Sequence, residues 1–192
     1  MQTQIQFQPI EQIEADALVI LGFEQEGGEE KTPAGASANR LTGGWLGEIR
    51  AAKEFSGAAA ETATLHRPAG MKAQRLLAAG AGKPEKFGSA ELRNLTGAVI
   101  RGLKSKNTRR IAFVLEAQYG APGFVSAAIE GAILGNYEPD MHITDPKKND
   151  KGIDVFTVVV PGGDQALATA AEAGRIVAEA QNFARDLGNE PA

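Results

Sequence analysis

The chain has 192 residues, 43% hydrophobic and 23% charged, with a formal net charge of −4 and no cysteine. That is enough for one buried core, or for one domain with a connecting element, at the composition of a soluble globular protein. The acidic balance supplies no basic field for nucleic acid or an anionic membrane, the missing cysteines exclude disulfides and thiolate metal ligands and suit a reducing cytoplasm, and neither a secretory leader after Met1 nor an apolar run near the roughly 18 residues of a membrane span is present.

Ile5 and Phe7, with Pro9, alternate with glutamines and predict a short half-exposed strand. Residues 17–21 form a continuous apolar run ended by Gly22, which predicts a strand buried on both faces. Residues 24–38, rich in Gly and Glu, predict a flexible surface loop. Leu41, Trp45, Ile49 and Ala52 recur at helical spacing and predict a helix over 41–55, its first turn weakened at Gly43-Gly44 by about 1 kcal/mol per glycine relative to alanine. Trp45 and Phe55 on that segment suit a core or an interface equally.

Two strands, 62–66 and 74–79, follow in hairpin fashion around the turn signal Pro68-Ala69-Gly70, with Gly80 and Gly82 breaking the second. Leu92, Leu95, Val99 and Leu103 mark an amphipathic helix over 89–104 that turns Arg93, Arg101 and Lys104 to solvent and closes at Asn107. A strand over 110–115 leads to a helix carried by Val125, Ala128, Ile129, Ala132 and Ile133, with Gly135 as its cap. Residues 136–152 read as a polar loop, and the β-branched run 153–160 as the strongest strand. The last helix carries Leu167, Ala170, Ala173, Ile176, Ala180, Phe183 and Leu187 as its apolar stripe, behind Asp164 as N-cap, with Gly188 as a left-handed residue past its end and Pro191 beyond. This order predicts an α/β fold, a mixed sheet with helices covering its faces.

Candidate chemistry is sparse. Gly80-Ala81-Gly82-Lys83 follows a strand as a phosphate-binding loop would, but Leu77 lies where a Walker loop needs glycine, Pro84 where it needs Ser or Thr, and Glu85 where a dinucleotide loop needs its third glycine; the plainer reading is a tight turn. His66 and His142 are the only histidines and lack metal-ligand spacing. Arg109-Arg110 with Lys104 and Lys106 form a basic cluster at a helix-to-strand turn, read as solvated charge complementing a helix end. No catalytic, cofactor-binding or metal-binding residue is assigned.

Several blocks resemble the N-terminal domain of the leucyl aminopeptidase (cytosol aminopeptidase) family of metallopeptidases. Residues 74–83 are similar to its strand ending in Gly-x-Gly-Lys, residues 130–137 to its Glu-Gly-x-x-Leu-x-x-Tyr helix end with Asp140 as the acidic residue that follows, and Ala184-Arg185-Asp186-Leu187-Gly188-Asn189-Glu190-Pro191 to the junction that joins its two domains. The resemblance implies a macro-domain-like fold, a three-layer mixed β-sheet flanked by helices, over 1–162. It implies a helix over 163–188 connecting to a catalytic domain that this chain lacks, with 189–192 opening the junction. Members of the family remove N-terminal residues from peptides with two divalent metal ions, Zn or Mn, held in the C-terminal domain, and assemble as homo-hexamers in the cytoplasm. The implied partners are therefore the chain's own catalytic domain and other subunits, with peptides reached through the parent enzyme. Residues 171–175, Ala-Glu-Ala-Gly-Arg, echo the family's Asn-Thr-Asp-Ala-Glu-Gly-Arg signature but lack its first half, and Glu172 is expected to face solvent. The other reading of a macro-like fold is a module for ADP-ribose or a nucleotide, with Gly120–Phe124 and Pro161–Gly163 as loops near its groove.

Overall fold

The computed structural model describes residues 1–25, 32–104, 107–139 and 152–190. Its strands are β1 (Gln2–Gln6), β2 (Ala17–Phe23), β3 (Thr62–His66), β4 (Arg75–Gly82), β5 (Arg110–Val114) and β6 (Val155–Val159). Its α-helices are α1 (Pro33–Leu41), α2 (Trp45–Ala51), α3 (Ser89–Lys104), α4 (Pro122–Asn136) and α5 (Leu167–Asn189). One sheet runs β1-β6-β5-β2-β4-β3, parallel throughout except for β3, which pairs antiparallel with β4 as the hairpin signal predicts.

The pleat of β2 sorts the core into two layers, because successive side chains point to opposite faces. Ala17, Val19, Leu21 and Phe23 pack with α3, α4 and α5, whereas Leu18 and Ile20 pack with α1 and α2. All seven β2 residues are buried, as expected of a central parallel strand. The three-layer α/β reading therefore holds. At the start of the sheet Asp16 joins β2 to β5: its Oδ2 accepts the N–H groups of Arg109 (2.9 Å) and Arg110 (2.8 Å). Burial pushes the Asp16 carboxyl up, but those two N–H groups and the Arg110 guanidinium outweigh it and hold the carboxyl below its ordinary value.

Glycines set the helix layer. A side chain on Gly131 would start 2.2 Å from the Arg93 carbonyl oxygen, one on Gly135 2.6 Å from that of Gly97, and one on Gly174 2.5 Å from that of Ser126. Helices α3 and α4 thus touch backbone to backbone, and α5 lies against α4 through Leu167, Ala171, Gly174 and Ala178, its buried residues.

The differences from expectation have physical causes. The loop expected over 24–38 contains the start of α1: Thr32 Oγ1 accepts the Gly35 N–H at 3.1 Å and Pro33 occupies the first turn, so Thr-Pro is a helix start that outweighs the surrounding glycine and glutamate. Of the helix expected over 41–55 only α2 (Trp45–Ala51) forms: Leu41 ends α1, Gly43 (φ 71°) and Gly44 (φ 100°) turn the chain before α2, and Phe55 lies beyond its end. Strand β4 continues through Gly80 to Gly82, and Gly135 lies inside α4 because α3 needs the space. Lys104 is buried, at 6% exposure, with Nζ donating to the Asn136 carbonyl (2.9 Å) and Glu138 Oε1 (2.6 Å). Asp164 caps the turn that leads into α5, accepting the Ala166 N–H at 2.8 Å, and Gly188 stays helical, the chain leaving at extended Glu190. The stripe assigned to α5 is split: Leu167 is buried, but Ile176, Phe183 and Leu187 are exposed, because the buried face belongs to the small residues that allow α4 to approach. Asp140, His142, Lys106 and Pro191 lie outside the described residues.

Candidate functional site

In α/β sheets, ligands settle at the carboxyl ends of the parallel strands, where neighbouring connections diverge. Here β2 leads toward β4 on one side and β5 toward β6 on the other, so the crevice falls between them. The chain fills that edge with its own groups. The segment before β3 folds across it: the Gly80 N–H donates to the Glu61 carbonyl (2.7 Å), the Gly82 N–H to the Gly57 carbonyl (2.8 Å) and the Glu24 N–H to the Gly82 carbonyl (2.9 Å). A side chain on Gly80 would start 1.9 Å from the Ala58 carbonyl oxygen, and Gly82 has φ 72°. The two glycines serve close approach and a turn, and their N–H groups are already donated, so the phosphate-loop reading gives way to the plainer one.

Glu61 ties the covering segment down. Its Oε2 accepts the Ser56 hydroxyl (2.8 Å) and the N–H groups of Ser56 (2.9 Å), Gly57 (2.9 Å) and Ala58 (3.1 Å). Its slight burial pushes the carboxyl up, but the hydroxyl and three N–H groups hold it below the ordinary range. On the β5 side, Glu116, at 5% exposure, reaches the α1 N-terminus and accepts the Ala34 N–H at 3.0 Å. That is where an α/β fold would offer N–H groups to a ligand phosphate. A pocket of about 280 Å³ remains beside it, walled by Pro9, Pro33, Ser37, Arg40, Glu116 and Pro161. The carboxylate in its wall opposes a diphosphate, and Gly120 and Gly163, in the two loops considered for that groove, pack against Val160. Nothing in this edge supports the ADP-ribose reading.

The remaining sequence candidates are dispersed. His66 is exposed at the end of β3. Arg109 donates to the Gly152 carbonyl (2.8 Å) and lies 3.8 Å from Asp154, while Arg110 pairs with Asp16, so the basic cluster is spent on structure. Phe55 is core, and half-buried Trp45 packs against the same cluster. Glu172 is exposed and pairs with Arg175, which also meets Glu179, in an ion-pair row along α5. Among the described residues no group of three His, Cys, Asp or Glu side chains could hold a metal ion, so a two-metal centre does not fit them. Among the same residues no helix is long and apolar enough to cross a membrane.

What the fold does assemble is the far end of α5. Tyr137, just past α4, donates its hydroxyl to Asp186 Oδ1 (2.8 Å) and accepts the Asn189 side-chain amide (3.1 Å), and the Arg185 guanidinium lies 5.4 Å from its ring centre. The hydrogen bond to Asp186 pushes the Tyr137 hydroxyl above its ordinary value. Two of the blocks that carry the family resemblance, 130–137 and 184–191, therefore meet in space. The opposite surface of α5 is apolar and open: Ile176 is 55% exposed, Val177 54%, Phe183 64% and Leu187 59%. Among the described residues these are the exposed large hydrophobics besides Met1. Sequence reading missed Val177 and the Tyr137 contacts; the adjacent pair Ile176-Val177 was the available sign, since a helix buried along one narrow stripe does not cover both.

Known proteins resemble the chain throughout. The model of the cytosol aminopeptidase family, N-terminal domain, matches residues 19–141. A probable cytosol aminopeptidase of Solibacter usitatus is 43% identical over 192 residues, covering 100% of this chain and 36% of that protein. One of Koribacter versatilis is 33% identical over 199 residues, covering 94% of this chain and 38% of that protein. Among solved structures, a tomato leucine aminopeptidase variant superposes on 100% of the chain and 39% of its own, with TM-score 0.81 at 20% identity. The bottromycin maturation enzyme BotP in complex with Mn superposes on 92% of the chain and 32% of its own, with TM-score 0.63 at 21% identity. The chain thus spans little more than a third of the length of the curated relatives it matches.

Proposed function

The chain belongs to the cytosol aminopeptidase family, as its N-terminal domain, and on that premise we propose that it is the non-catalytic part of a metallo-aminopeptidase, acting in assembly and in access to a catalytic domain that follows it. One observation carries this reading: the sheet edge is filled by the chain's own groups, while the outer surface of α5 stays apolar and open. An apolar strip of that kind marks a surface that a partner covers. Residues 1–162 act as the body, with a macro-like fold, residues 163–188 as the connector and 189–192 as the opening of the junction. Tyr137 fixes the direction in which the connector leaves. The catalytic domain supplies two divalent metal ions, Zn or Mn, and the reaction on peptide N-termini; the complete protein assembles as a homo-hexamer in the cytoplasm.

Two measurements test this. The 192-residue chain is expected to release no leucine from a leucyl chromogenic substrate, with or without Zn²⁺ or Mn²⁺; metal-dependent release overturns the reading. In the complete protein, Phe183→Asp with Leu187→Asp is expected to loosen the N-terminal domain, seen as faster proteolytic separation of the two parts. Cleavage at the unmodified rate removes the docking role of α5.

A further inference from the structure

A second open feature lies on another side of the helix layer. A groove of about 410 Å³ runs where α3, α4 and α5 meet, and its walls carry Arg93 and Arg101 from α3 and Gln181 and Arg185 from α5. Its floor is Gly97, Gly131 and Gly135, the residues whose missing side chains let α3 and α4 touch. The groove exists because of that contact, and nothing larger than a hydrogen fills its base.

The charges in it are unbalanced. The whole chain is acidic, at −4, yet three guanidinium groups line this one groove and no carboxylate does. Glu130 on α4 faces Arg93 at 3.5 Å and offsets one of them in part. Arg185 stacks on Tyr137 and donates to the Asn182 side-chain oxygen at 3.3 Å, neither of which cancels its charge. Arg101 has no ion-pair partner among the described residues. It folds one turn back along α3, with a guanidinium nitrogen 3.6 Å from the point where a Gly97 side chain would start. That places an uncompensated planar fork over the glycine floor.

Arg93 and Arg101 are eight residues apart on one helix, a rise of about 12 Å at about 1.5 Å per residue. Gln181 and Arg185, four apart, share a face of α5 and line the other wall. A single oxyanion meets one or two of these groups; a chain of linked phosphates meets them in series, with guanidinium forks suited to its oxygens and the Gln181 amide as a further donor. We propose that this groove binds an oligophosphate, either free or carried by a nucleoside. The site is separate from the sheet edge and independent of the aminopeptidase role.

The test is calorimetry on the 192-residue chain at low salt with inorganic tripolyphosphate, ATP and orthophosphate. Saturable sub-millimolar binding of tripolyphosphate is expected, with orthophosphate at least about tenfold weaker, a difference of about 1.4 kcal/mol. Equal affinity for ATP assigns the free oligophosphate as ligand, and tighter ATP assigns the nucleoside-borne one. Arg101→Gln, a change at an exposed and unpaired side chain, is expected to weaken binding about tenfold while Arg101→Lys restores part of it. Arg175→Gln, away from the groove on α5, is the control and is expected to change nothing. The proposal is overturned by absence of tripolyphosphate binding, by undiminished binding in Arg101→Gln, or by an equal loss in Arg175→Gln, which would mark unspecific attraction.

Discussion

The carboxyl edge of the sheet and the outer surface of α5 are opposites. At the edge, Glu61, Glu116 and two glycine N–H groups spend their bonding capacity inside the molecule. On α5, Phe183 and Leu187 lie open among the described residues. A fold that elsewhere holds ligands at the first place here has closed it and turned an apolar surface outward at the second. Fold alone therefore says little about where function resides.

The sharpest way to break that contrast is to reopen the edge. Gly80→Ala puts a methyl group 1.9 Å from the Ala58 carbonyl oxygen, and because backbone must move, a loss of about 3 kcal/mol is expected in urea unfolding. Gly174→Ala, on the inner face of α5 with its new methyl group 2.5 Å from the Ser126 carbonyl oxygen, is expected to cost about 2 kcal/mol, since α5 must back away from α4. An unchanged midpoint in either variant would mean that the approach is looser than described.

Acid separates the two regions more gently. Asp16 and Glu61 have folded values held below their ordinary ones, so the stability they add is present above the unfolded carboxylate range and is lost as pH falls through their folded values. Glu61→Gln should flatten that acid limb and lower stability at neutral pH by about 1 kcal/mol; an acid limb identical to the parent's excludes Glu61 from it. Smallest of all, Phe183→Ser with Leu187→Ser should change stability by less than about 0.5 kcal/mol, as surface changes do. A large loss would show that the outer surface of α5 is structural after all, and the contrast would fail.

Strong local signals were legible in the sequence. The β-branched run of β6, the buried run of β2 and the period of α3 each specify one element without help from distant residues. Glycine was harder to read, because its meaning depends on what approaches it. Gly43-Gly44 turns the chain, Gly80 admits a carbonyl and Gly135 admits a helix, yet all three look alike in one dimension. Helix α5 shows the same limit: its alanine-rich composition allows several apolar stripes, and the choice among them is made by Ser126 and Gly174, 48 positions apart in the chain. The candidate interface was half legible, in that the wording around Asp186 drew notice while its bond to Tyr137 did not.

The glycine contacts also make the helix layer stiff. With α3 seated on α4 at Gly97, Gly131 and Gly135, and α5 seated on α4 at Gly174, the three helices have no compressible side chains between them at those points. Tyr137 bolts the C-terminal turns of α5 to the end of α4. A load applied at Phe183 or Leu187 by a docked partner would therefore not be absorbed locally. It would tilt the slab as a unit and reach the sheet, making α5 a lever arm whose fulcrum is a patch of bare backbone.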